Sequence, residues 1–310
     1  MDFSSLNPVA MIVLLIGAAT PILLAALGEL VVEKSGVLNL GVEGMMIIGA
    51  VTGFIVASET ASPYAGMLAS MVGGAVVAMI FGFLTQFLLS NQVATGLALT
   101  MFGLGLAALL GGDYNGIKPP PTPRLNIEGL SDLPIVGELL FSHDPVIYFS
   151  IALVAAVWYF LNRTRGGLIL RACGENHDAA HSLGYNVVMI RFGAIMFGGA
   201  CAGLGGAYVS LIRVPQWTEG MTAGIGWIAL AIVVFASWKP WRAILGAYLF
   251  GGITILQLSL QALGISISAA YLSMTPYIVT IVVLVIMSAD RKRASLNAPA
   301  CLGRSFHASN

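Results

Sequence analysis

Between Val146 and Ile212 the chain reads VIYFSIALVAAVWYFL (146–161), then RTRGGLILRACGENHDAAHSLGYNV (163–187), then VMIRFGAIMFGGACAGLGGAYVSLI (188–212). Two apolar blocks enclose a long polar interval. Arg163, Arg165 and Arg171 crowd the front of that interval, and Glu175, Asn176, His177, Asp178 and His181 follow. Lipid offers no partner to a free backbone N–H or C=O, so helices are the open option for the apolar blocks. A charge cluster between two such helices then reads as a segment held in water, where a separate protein can grip it.

The whole chain follows the same alternation. Of its 310 residues 58% are hydrophobic and 9% charged, against about 45–50% and 25% in soluble domains; the mean hydropathy is +0.91. No stretch is polar enough to form a soluble domain. The formal net charge of +0 gives a nucleic-acid reader no basic face. Cys173, Cys201 and Cys301 are an odd set with neither disulfide nor zinc spacing. The start, MDFSSLNPVAMIVLL, lacks the positive region of a cleaved leader, so the first apolar run is expected to stay as a helix. No G-x-x-x-x-G-K-[ST] occurs, so the chain does not cradle a nucleotide in the P-loop manner.

Hydropathy places spans at about Val9–Leu30, Val37–Ala57, Tyr64–Leu89, Val93–Gly112, Val146–Leu161, Val188–Ile212, Gly224–Trp238, Ala243–Leu263 and Met274–Ala289. The expected fold is an all-α polytopic membrane protein of about nine (eight to ten) transmembrane helices, one domain over 1–290, with a basic and disordered tail at 291–310. Cytoplasmic loops carry the excess of Lys and Arg. One side collects Lys34, Arg163, Arg165, Arg171, Arg191, Lys239, Arg242, Arg291, Lys292, Arg293 and Arg304; the other collects Lys118, Arg124 and Arg213. That asymmetry predicts an outside N-terminus, a cytoplasmic C-terminus and a cytoplasmic 163–187. Two outside segments stand out. Asp113–Asp144 contains the stiff run KPPPTPR, with Leu130, Leu133, Val136, Leu140 and Phe141 spaced for a short interfacial helix. The other is Arg213–Ala223, RVPQWTEGMTA. Both also read as ordinary connecting loops.

The second span, SGVLNLGVEGMMIIGAVTG (35–53), carries Gly36, Gly41, Gly44, Gly49 and Gly53, each a cost to a helix interior of about 1 kcal/mol. Asn39 and Glu43 stand four apart, which on a helix is one face. A carboxylate this deep in hydrocarbon is expensive and faces the bundle interior. Two readings stay open: a hydrogen bond that fixes packing, or a helix bent or unwound along a translocation path.

GELVVEKSGVLNLGVEGMM (28–46) resembles the second-helix signature of inner-membrane permeases of ABC importers, in the branched-chain amino acid/ribose permease superfamily, and most of all its simple-sugar/nucleoside branch. NQVATGLALT (91–100) is similar to the turn and helix that follow in that branch, and RACGENHDAAHSLGYNV (171–187) resembles its cytoplasmic coupling segment. The resemblance runs in order from Gly28 to about Ala289. It implies a bacterial inner-membrane permease subunit that is not itself an enzyme and needs no cofactor or metal. Its partners would be an ABC ATPase, a second permease (a heterodimer), and a substrate-binding protein or lipoprotein. ATPase coupling carries over to Arg171, Gly174, Glu175, Asn176, Ala179, Ala180 and Gly184, and Asp178 and Leu183 join them by position. Asn176 is expected to cap a short helix with Asp178 in its first turn and Gly184 at its end, and Ala179, Ala180 and Leu183 to form the apolar face a partner's groove receives. His177 departs from the family's proline, and Tyr185 from its isoleucine. Asn39, Glu43, Gln86, Asn91, Gln92 and Thr95 are the candidates for the path of a nucleoside or simple sugar. The rival reading is an ion-coupled secondary transporter with Glu43 and Glu29 as carrier acids. His177-Asp178-Ala179-Ala180-His181 also imitates H-E-x-x-H but lacks its glutamate; a solvated helix face is the plainer reading.

Overall fold

The computed structural model describes residues 8–125, 136–262 and 297–307, with eight scattered positions from 271 to 285. Its elements are α1 (Pro8–Lys34), α2 (Val42–Thr60), α3 (Pro63–Gly82), α4 (Gln92–Gly111), α5 (Val136–Leu140), α6 (Pro145–Arg163), α7 (Arg165–Glu175), α8 (His177–Ser182), α9 (Val187–Tyr208), α10 (Ile225–Phe235) and α11 (Pro240–Ala262). A π turn prolongs α3 through Phe83–Phe87 and another prolongs α9 through Val209–Arg213. The ends are set by side chains that take over orphan helix donors. Ser62 caps α3, Asn91 α4, Asp144 α6, Thr164 α7, Asn176 α8 and Asn186 α9.

Among the described residues seven helices are long and apolar enough to cross a membrane: Pro8–Lys34, Val42–Thr60, Pro63–Phe87, Gln92–Tyr114, Pro145–Arg163, Val187–Arg213 and Pro240–Gln261. The chain is an all-helical, multi-pass membrane protein. Three of the nine expected spans need comment. That at Gly224–Trp238 is the 11-residue helix α10, about 16 Å long at 1.5 Å per residue, half of a hydrocarbon core of about 30 Å. That at Met274–Ala289 lies largely outside the described residues. The span expected from Val37 begins only at Val42.

α9 is the axis of the bundle, with α1, α2 and α3 packed around it. Lipid removes the hydrophobic drive between helices, so close backbone contact does the holding. A Cβ on Gly203 would run into the carbonyl of Ser70 on α3. Gly203 also meets Gly49 of α2, about 18 Å along α9 from Arg191 at 1.5 Å per residue. Arg191 itself touches Ser35, so the chain between α1 and α2 passes beside the N-terminal part of α9.

At the end away from α7 and α8, the two polar segments singled out in sequence meet. Asn115 bridges to Trp217, and Trp217 is buried against Phe54. The proline-containing stretch 117–125 has no regular secondary structure. Of the expected interfacial helix, Val136–Leu140 is helical, and Leu130 and Leu133 lie outside the described residues. At the other end, the expectation of a disordered tail is corrected for 297–307. These residues fold back on α7, with Cys301 N–H donating to Gly174 O at 2.9 Å and Gly303 N–H to Gly36 O at 3.1 Å.

Candidate functional site

Several of the buried polar residues, Glu29, Ser35, Asn39 and Gln92 among them, collect where the helix breaks between α1 and α2. Lys34 ends α1, Gly36 turns at φ +93°, a conformation that glycine takes without strain, and 37–39 run without helical hydrogen bonds. Unwound backbone buried in an apolar bundle needs side-chain partners. Leu38 N–H donates to Gln92 Oε1 at 2.9 Å, Asn39 N–H to Glu29 Oε1 at 3.3 Å and Gly41 N–H to Asn39 Oδ1 at 3.0 Å. Asn39 Nδ2 donates to Glu29 Oε2 at 3.3 Å. Glu29, Asn39 and Gln92 are all buried, and between them they replace a missing turn of helix.

Asn39 therefore precedes α2, and the expected shared face with Glu43 is corrected. Its side chain turns to Glu29, whereas Glu43 turns to α10. Thr222 Oγ1 donates to Glu43 Oε1 at 2.8 Å, and Gly226 N–H donates to Glu43 Oε2 at 2.8 Å. Glu43 lies in the first turn of α2 and accepts from the first turn of α10. Both helix ends carry positive partial charge, so one acidic group serves two dipoles. The approach is close: a Cβ on Gly226 would lie 2.7 Å from Glu43 Cα. The far end of α10 is fastened too. Trp238 Nε1–H donates to Glu33 Oε2 at 2.6 Å, from a turn in which Ser237 and Trp238 take φ of 50° and 55°. For residues with a Cβ that left-handed conformation costs about 1–2 kcal/mol each. α10 is a strut held by Glu43 on α2 and Glu33 on α1.

The other path candidates lie at the α3–α4 turn. Gln86 is buried and donates to Thr85 Oγ1 at 3.1 Å; Asn91 is exposed and caps α4 through Ala94 N–H at 3.0 Å; Thr95 pairs with Ser90 at 2.9 Å. Gln92 joins this turn to the break, and its Nε2 has no partner among the described residues. An apolar cavity of about 620 Å³ lies apart from all of them, between α1, α6, α7 and α9, with Val31, Leu153, Phe160, Leu170 and Phe197 in its wall. Such walls offer nothing to a polar solute.

The segment 163–187 forms α7 and α8 with a sharp bend at Asn176. Asn176 Oδ1 accepts from Ala179 N–H at 3.0 Å, Asp178 sits in the first turn, and Gly184 at φ +88° ends the helix. Gly184 N–H bonds to His181 O at 2.8 Å and Tyr185 N–H to Ala180 O at 3.2 Å, the paired closure of a Schellman turn. The expected apolar face needs correction. Ala180 is buried against Cys173, Val187 and Phe306, whereas Ala179 is exposed and Leu183 is 75% exposed. Glu175 and Asp178 are exposed, Arg171 is half-buried and Gly174 is buried. His177 turns inward: its Nδ1 accepts from Arg191 Nη2 at 3.1 Å. A guanidinium only donates, so this imidazole is the neutral tautomer with its proton on Nε2. Burial, then the Arg191 charge, hold it below the ordinary imidazole range, with Asp178 pulling the other way. His181 faces the Phe306 ring at 5.2 Å.

A family model described as the permease component of branched-chain amino acid transport systems matches residues 11–287. The chain belongs to that permease family. Over 312 aligned residues it is 38% identical to a putative glucose ABC transporter permease protein of Haloferax volcanii, covering 94% of this chain and 95% of the relative. It is 35% identical over 205 residues to a guanosine ABC transporter permease protein of Bacillus subtilis, covering 63% and 64% of the two chains. A nucleoside ABC transporter permease protein of Lactococcus lactis is 38% identical over 163 residues, 51% of each chain. No solved structure matches.

Sequence reasoning about this permease missed Thr222, Gly226, Trp238, Arg191 and Phe306. Arg191 left a signal: counted with the loop charges, it stands inside an apolar run, where a cation is expensive. In the structure it is fully buried in α9. Thr222, Gly226 and Trp238 left none, since their partners Glu43 and Glu33 are 179, 183 and 205 positions away.

Proposed function

We propose that this chain is the membrane subunit of an ATP-binding-cassette importer that carries a nucleoside or a simple sugar across the inner membrane by alternating access. The observation that carries the reading is the full-length match to a putative glucose permease, joined by partial matches to guanosine and nucleoside permeases. The subunit catalyses no reaction. A separate ATPase supplies the energy by docking on α7 and α8, which face the cytoplasm, and the N-terminus lies outside. A second, similar permease completes the path. A substrate-binding protein or lipoprotein docks on the loops at 113–144 and 213–223.

The internal geometry suits this division of labour. The break at 35–41, the strut α10 and the α3–α4 turn bring Asn39, Glu43, Gln86, Asn91, Gln92 and Thr95 to the interior or to the α7–α8 end. Uncharged amides and hydroxyls match the hydroxyls of a sugar or nucleoside, and the buried Nε2 of Gln92 has no partner among the described residues. A short helix beside an unwound segment inside a bundle is a common device for such a site. Moving the assembly between outward and inward forms from 1:99 to 99:1 takes about 5.5 kcal/mol, which ATP binding by the partner supplies.

The test is uptake by proteoliposomes holding the chain with its ATPase, second permease and binding protein. Uptake of a nucleoside or sugar that requires ATP is the expected result. Accumulation by this chain alone, driven by a proton or sodium gradient, would overturn the proposal in favour of ion coupling. Labelling of the exposed His181 from the outside of sealed cells would overturn the orientation.

A further inference from the structure

We infer that residues 297–307 are a working part of the ATPase-docking element, and that Arg191 is the positioning residue that ties this element to the break between α1 and α2. The identity of the partner rests on the proposed function; the assembly of the element does not.

A helix of six residues such as α8 does not hold its shape on local propensity alone and needs packing. That packing comes from the far end of the chain. Phe306 is buried with its ring 5.4 Å from that of His177 and 5.2 Å from that of His181. With Cys173, Ala180 and Val187 it makes a small apolar core of its own. Three further bonds lace the same segment down. Lys34 Nζ donates to Asn297 O at 2.7 Å, and the Cys301 and Gly303 amides bond to Gly174 O and Gly36 O. One strand of chain thus joins the end of α7 to the break.

Arg191 makes the second connection. Its Nε donates to Ser35 O at 3.1 Å, its Nη1 to Arg304 O at 3.0 Å and its Nη2 to His177 Nδ1. A guanidinium is a rigid planar fork, so displacement of α8 reaches Ser35 without passing through a flexible loop. The outer surface is shared as well. Leu183 and Asp178 on α8 and Arg304 and His307 on the folded-back segment are all exposed. An apolar anchor with charges around it is how a docking patch is composed.

A photo-cross-linking side chain placed at Leu183 or at His307 in the assembled transporter separates the two layers of the argument. Both positions are expected to cross-link the ATPase subunit. Silence at Leu183 would overturn the reading of α8 as the docking helix. Capture at Leu183 with silence at His307 would leave that reading intact and overturn the inference. In the same complex, Phe306→Ala and Arg191→Gln are expected to lower solute moved per ATP by about tenfold, the scale of one lost anchor. Phe306→Leu and Arg191→Lys should recover part of it. Loss of the ATPase from the Phe306→Ala complex supports the docking role; unchanged transport per ATP in both severe variants overturns it.

Discussion

Replacing Glu43 by alanine and by glutamine distinguishes a positioning carboxylate from a carrier one. Alanine removes the acceptor of two buried donors, the Thr222 hydroxyl at 2.8 Å and the Gly226 amide at 2.8 Å. Leaving a buried donor unpaired costs about 1–3 kcal/mol, so the pair amounts to about 2–6 kcal/mol. At roughly 2 °C per kcal/mol for a large chain, that lowers the unfolding temperature by about 4–12 °C. Glutamine behaves differently. Its carbonyl oxygen still accepts from Gly226, and its amide donates to the Thr222 hydroxyl, which turns to receive it. The cost should then stay within about 1 kcal/mol. The assay is thermal unfolding of the purified complex in detergent, paired with ATP-driven uptake in proteoliposomes. Glu43→Ala is expected to lose stability and uptake, and Glu43→Gln to keep both. A glutamine variant of normal stability that transports nothing would refute the reasoning, because only a proton- or ion-carrying role separates the two acceptors. An alanine variant of unchanged stability and uptake would refute it from the other side.

Gly226→Ala puts a Cβ 2.7 Å from Glu43 Cα, so α10 must back away; uptake should fall while the ATPase still co-purifies. Trp238→Phe keeps an aromatic ring but removes the indole N–H that donates to Glu33 together with part of the buried volume, and is expected to destabilise the chain by at least about 1–3 kcal/mol, read by thermal unfolding. Because His177 is held below its ordinary range near 6.5, its folded form favours the neutral ring. Its contribution is complete above that range and is lost as pH falls through the depressed value. Protection of the 301–306 amides, taken as exchange relative to a free peptide at the same pH, should therefore fall on acidification, and His177→Asn should flatten the response. Leu183→Asp replaces the exposed apolar anchor of α8 and is expected to weaken ATPase retention by about 2 kcal/mol, measured by co-purification, with the unfolding temperature unchanged.

Much of the architecture was legible because hydropathy reports burial in lipid directly. Among the described residues seven of the apolar blocks are helices of spanning length, and the Asn176 and Gly184 signals bound α8 as capping chemistry requires. Length of an apolar run is a poorer guide to where a helix stops. Gly224–Trp238 is apolar enough for a span, yet α10 is held short by contacts with Glu43 and Glu33 that no local pattern reveals. The same limit applied to the second helix. Its glycines announced a break, but the position was decided by Gln92 and Glu29, 54 and 10 residues from the amides they receive. The burial of Ala180 escapes the sequence for a related reason. On α8 alone it is an apolar surface residue, and it becomes core only when Phe306 arrives from the other end of the chain.

The unwound segment at 35–41 has a consequence for anyone recombining this chain with a relative. Its amides are served by one residue from α1, one from within the segment and one from α4, so the three form a single heritable unit. A crossover placed between Asn39 and Gln92 would divide that unit between two parents. Grafts that respect it should splice before Glu29 and after Gln92, because the hydropathy gaps at 31–36 and 58–63, the obvious places to cut, both fall inside the unit.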